Sequence, residues 1–168
     1  ATLLRAATAT LGSDPARYAL RREAAKAYEA IGDAQRAVAA LLRSAEEGDE
    51  PSLAEAERVA RAHAQFSALG QVLALRLKGA ESVQARRDLC LERARLLGDT
   101  LGDRAAAIAL LEQQAIADEH DLGARFALAR WYLTDQRTVD AALAYESAAS
   151  IPGLPPEVAG RAARAAAS

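Results

Sequence analysis

Two histidines, one cysteine and scattered carboxylates are the side chains of this 168-residue chain that could make or break bonds. The patterns such chemistry needs are missing. There is no metal-type histidine pair, no phosphate-cradling glycine loop and no nucleophile elbow. His63 falls where helices of a repeat pack and reads as a core or half-buried residue. His120 lies in Asp118-Glu-His-Asp121, which reads as a polar turn, not a cation site. Gly98-Asp-Thr-Leu-Gly-Asp103 is acidic and loop-like but lacks the ligand density of a calcium loop. Cys90, the only cysteine, excludes an internal disulfide and reads as buried and inert. No catalytic residue, cofactor or metal is expected, and the chain reads as a non-enzyme.

The chemistry that remains is ionic. Lys26, Arg61, Arg95 and Arg130 recur at spacings of 35, 34 and 35 residues. Aligned in a row, such cations suit carboxylates through charge-assisted hydrogen bonds, so an acidic partner segment is one expectation. Arg22, one helical turn before Lys26, would extend the row. The plainer reading is a solvated helix face, neutralised by Glu29, Glu57, Asp88 and Glu92 at i,i+3 and i,i+4 spacings.

A row of this kind requires repeated elements to carry it. Each basic residue follows a small one: Ala25, Ala60, Ala94 and Ala129. A second series, Ala37, Leu73, Ala107 and Ala141, recurs at 36, 34 and 34, with Leu41, Leu77, Leu111 and Tyr145 four positions on. Tyr28, His63, Leu97 and Tyr132 stand three positions after the small residues. Helices whose axes approach to ~8–10 Å need a small side chain where they cross and a larger one beside it. Gly32-Asp33 and Gly102-Asp103 match a helix stop followed by a helix cap. The spacing predicts helices over 2–11, 15–31, 33–48, 51–64, 66–78, 81–98, 103–117, 121–134, 137–149 and 155–167. Pro155-Pro156 suits the start of the last.

These columns resemble the tetratricopeptide repeat family over nearly the whole chain, in a degenerate bacterial form. The likeness is strongest in Tyr28…Gly32…Ala37 and in Leu128-Ala129…Tyr132…Ala141…Tyr145…Ala148. Four repeats, 18–50, 53–80, 87–120 and 122–153, with half-repeats at 1–15 and 155–168, would form one domain. The middle repeats each carry one extra residue between their helices. Phe66-Ser67-Ala68 replaces the Gly-Asp turn, and Arg93 and Gln114 stand where the family places apolar or small residues.

The resemblance implies an all-α, right-handed superhelix of antiparallel helix pairs, with a concave groove that binds a partner peptide or helix. Arg22, Lys26, Arg61, Leu91, Arg95, Phe126, Arg130 and Leu133 would face that groove; Leu91, Phe126 and Leu133 supply an apolar anchor. Trp131 is expected to pack between repeats. The competing readings are a module that self-assembles through its ends, which leaves a homo-oligomer open, and a docking or regulatory domain of a larger enzyme.

Composition agrees with this reading. The chain is 51% hydrophobic but has only two Phe and one Trp, which suits a thin, alanine-rich helical core. Twenty-one basic against 23 acidic residues leave a net charge of −2, with no basic block to suggest nucleic acid. No apolar run is long enough for a membrane span. The chain begins at Ala1 without any methionine and is expected to be part of a larger, cytoplasmic bacterial polypeptide.

Overall fold

The computed structural model describes residues 14–167, all of its regular elements being helical. The helix expected over 2–11 lies outside them. The nine helices among the described residues are α1 Asp14–Ala30, α2 Ala34–Glu46, α3 Glu50–Ala62, α4 Phe66–Lys78, α5 Val83–Arg95, α6 Arg104–Ala117, α7 Leu122–Thr134, α8 Thr138–Ala149 and α9 Pro156–Ala166. The chain divides into two compact units, residues 1–79 and 80–168.

In the first unit α1 packs on α2, α2 on α3 and α3 on α4; α1 also touches α3, and α2 touches α4. The core is a seam of small and branched side chains: Ala25, Ala37, Val38, Leu41, Ala56, Val59, Val72 and Leu73 are almost wholly buried. Asp33 and Asp49 cap α2 and α3, accepting from the amides of Arg36 at 3.1 Å and Ser52 at 3.2 Å.

In the second unit consecutive helices from α5 to α9 pack in the same way, and α5 touches α7. Cys90, Ala94, Ala107, Leu111, Ala124, Ala129, Ala141 and Ala148 form its seam. Asp121 caps α7 through a 2.9 Å bond from the Ala124 amide, while its other oxygen accepts from Gln114 Nε2 at 2.9 Å. Asp121 is 2% and Gln114 6% exposed. The polar residue at the apolar position of α6 is therefore the partner of a buried cap.

Turn chemistry sets the true phase of the pairs. Between the two helices of each pair, the residue before the cap takes a left-handed backbone: Gly32 (φ +79°), Ala64 (φ +50°), Gly102 (φ +74°) and Gln136 (φ +60°). The caps are Asp33, Gln65, Asp103 and Arg137. Ala25 precedes its cap by eight residues, as does Ala129, but Ala60 precedes Gln65 by only five. The four alanines are all buried, yet Ala60 is not the counterpart of the other three. The same slip corrects the second-helix series. The fourth residue after each cap is Ala37, Leu69, Ala107 and Ala141, so Leu69, not Leu73, belongs with the alanines. Leu73 joins Leu41 and Leu111 at the eighth position, all with no exposed surface. The replacement turn of that pair is His63-Ala64-Gln65, and Phe66-Ser67-Ala68 starts α4.

Ala94 keeps its place by a different device. It precedes Asp103 by nine residues, one too many for the common phase. A π-helical turn, Leu96–Thr100, absorbs the extra residue at the end of α5. Its signature bond runs from the Leu101 amide to the Leu96 carbonyl at 3.0 Å. Gly98 is buried in this turn against Trp131, which is itself 5% exposed. A Cβ on Gly98 would lie 2.3 Å from Trp131 Cζ2. Trp131 thus packs between helices, as expected.

Candidate functional site: the first-helix face

With the phase set by the turns, the basic position lies seven residues before the cap. It holds Lys26, Arg58 and Arg130, and the π turn places Arg95 there at eight. Arg58, which the even spacing passes over, stands where Arg61 was expected. Its signal in the sequence is its distance from the turn, concealed because Ala64 is not glycine.

Two of these residues repeat one contact. Arg58 Nη1 and Nη2 donate to the two Glu29 carboxylate oxygens at 3.1 and 2.7 Å. Arg130 Nη2 donates to Asp99 Oδ1 at 2.6 Å. In each case the cation of one helix pair holds the carboxylate four residues before the cap in the preceding pair. The contact ties neighbouring first helices together. The Arg58 guanidinium, together with His63 Nε2 3.1 Å from Glu29 Oε1, pulls the Glu29 carboxyl down from 4.5 to about 2. His63 is more exposed than its packing column suggested, because it is the C-cap of α3.

The remaining expected groove residues divide between ion pairs, packing and open surface. Lys26 Nζ bonds Glu23 at 2.7 Å on its own helix. Arg61 holds Glu57 at 2.8 Å, and Arg76 of α4 reaches Glu57 at 2.9 Å. Glu57 occupies the small-residue position of that pair, so an ion-pair cluster replaces an alanine contact there. Arg22 is half-buried and holds Asp49, the cap of α3. Leu91 packs over Gly123, where a Cβ would come within 2.9 Å of its Cδ1. Phe126 meets Tyr145 edge-to-face at 5.8 Å. Arg95 and Leu133 are left over: both are exposed, and Arg95 has no ion pair among the described residues.

The α5–α7 face therefore offers Arg95 without a partner, Arg130 shared with Asp99 and stacked 4.9 Å from the Trp131 ring, and Leu133 one turn beyond Arg130. Among the described residues no group of three His, Cys, Asp or Glu side chains could hold a metal. No described helix is long and apolar enough to cross a membrane. Cys90 is fully buried, its thiol pushed up to about 11 by desolvation and by the charge of Asp121. It is a packing residue and not a nucleophile.

The structure defines an all-α protein whose helices pack consecutively within each of its two units. No protein-family model, curated protein or solved structure matches the chain.

Proposed function

We propose that the chain is a protein-binding helical-repeat module, tetratricopeptide-like in its pairing, whose first-helix face holds an acidic partner segment carrying a leucine-type residue. The right-handed superhelical arrangement and the concave groove belong to this proposal, as does the absence of catalysis. The observation that carries it is Arg95, an exposed cation with no carboxylate partner among the described residues, on the helix next to one that exposes Leu133 at 49%. An exposed leucine on the helix next to one that carries an exposed, unpaired cation is a natural anchor for a segment with a complementary acid–leucine pattern.

Phage-displayed random peptides sorted on the chain test this. Selected sequences are expected to pair Asp or Glu with Leu or Ile, and to lose at least tenfold in affinity on Arg95→Glu with Leu133→Ser. Helicity should be unchanged, because both side chains are exposed. Peptides that bind the double variant equally well, with no salt dependence, would remove the proposal.

Self-association is the second reading. Ile116 and Val139 of the second unit are 82% and 72% exposed. A mass by light scattering that rises with concentration would favour it.

A further inference from the structure

The second unit contains a cavity that the first-helix face does not use. In the first unit the second helices of neighbouring pairs, α2 and α4, are in contact; in the second unit no Cα of α6 lies within 8 Å of one of α8. The space between them is an open cleft of about 270 Å³, lined by Leu128 of α7 and by Ala115, Leu143 and Ala144. Alanines at two of the wall positions leave the room. Leu143 is 57% exposed at its edge, and Leu128 is buried.

One cation lines this apolar space. Arg125, half-buried, gives Nη1 to Ser147 Oγ and Nη2 to the Glu119 carbonyl at 2.8 Å. Its Nε is buried and has no hydrogen-bond partner. Both its acceptors are neutral, and no described carboxylate lies within ion-pair distance. The other charged lining residue, Asp140, is neutralised by Arg137 at 2.7 Å, and the Tyr132 hydroxyl is spent on Glu112 at 2.6 Å. A buried donor without an acceptor is costly, and a partly desolvated guanidinium without a counter-ion more so. A carboxylate lodged beside Arg125 would supply the missing counter-ion.

We infer that the α6–α8 cavity is a binding site for a small branched aliphatic carboxylate, its hydrocarbon against Leu128, Leu143, Ala115 and Ala144 and its carboxylate on Arg125. The volume sits just below the range of drug-sized pockets, which suits a short-chain acid. This inference is independent of the peptide-binding reading, since neither Arg95 nor Leu133 lines the cavity.

Titration of the ¹⁵N-labelled chain with 4-methylpentanoate, and separately with the neutral isostere 4-methylpentanamide, tests it by amide chemical shifts. Saturable shifts are expected at Leu128, Leu143 and Ala144 with the acid, with the amide binding at least tenfold more weakly. Arg125→Gln should abolish the preference for the acid. Leu143→Asp, at an exposed position that leaves the core intact, should abolish binding of both probes. N-acetyl-Glu-Leu-amide, titrated in parallel, is expected to bind the same amides more weakly than the free acid; tighter binding overturns the small-acid assignment in favour of a peptide-borne carboxylate. Equal affinity for acid and amide, no saturable shift at millimolar ligand, or binding indifferent to Leu143→Asp each overturns the inference.

Discussion

The carboxylate of Glu29 shows how a single side chain serves the fold while looking like part of a binding surface. It joins α1 to α3 through a bidentate bond from Arg58 and also faces His63. The main cause of its depressed pKa is the hydrogen bond from Arg58, followed by that with His63. A carboxyl whose pKa falls on folding stabilises the native state above its unfolded value and loses that contribution as pH drops toward its folded one. Between 4.5 and about 2, therefore, the wild-type chain should lose more stability than Glu29→Gln. Urea midpoints at pH 6 and pH 3 would measure the difference. A variant with the same pH profile as wild type would show that the pair contributes nothing, as is common for ion pairs open to solvent.

Helix boundaries are where local chemistry and packing meet. The four intrapair turns share one backbone, with a left-handed residue before each cap, but only two have glycine there. Ala64 and Gln136 bear a Cβ in a conformation that costs an L-residue roughly 1 kcal/mol. Ala64→Gly and Gln136→Gly are each expected to raise stability by about 0.5–1 kcal/mol, offset in part by the greater freedom of glycine in the unfolded chain. Gly32→Ala and Gly102→Ala should do the reverse. Thermal melts of the four variants check the sign directly. The two glycine turns were legible in the sequence because Gly-Asp states a stop and a cap in two residues. The other two were not, since Ala64-Gln65 and Gln136-Arg137 carry neither signal. That silence let the repeat alignment slide three residues in the second pair and select Arg61 over Arg58.

At the scale of the whole molecule, stability within each unit of consecutively packed helices is a sum of intrinsic and nearest-neighbour terms, so lesions at one interface act locally. Ala129→Leu places three carbons more into a site with no exposed surface and should cost ~1–3 kcal/mol. Gly98→Ala is expected to cost as much despite adding one carbon, because the ring of Trp131 already occupies the space. Gly98→Ala and Trp131→Phe should be less than additive, because the smaller ring relieves the contact; chemical denaturation of the single and double variants reads this.

Residue order alone determined that the chain is helical, roughly where most helices begin and end, and which residues stop and cap the Gly-Asp turns. Those properties rest on bonds between residues four apart and on caps within one turn, so short stretches of sequence contain them. Gln114 looked like a departure from pattern, and only contact with Asp121 explained it. Tertiary structure alone decided that Arg58 and Arg130 hold carboxylates of the preceding pair, that an extra residue becomes a π turn under Trp131, and that α6 and α8 stand apart around Arg125. Each depends on side chains about 20 to 30 positions apart meeting in space, and their distances are set by how the helices pack, not by the spacing of residues along any one of them.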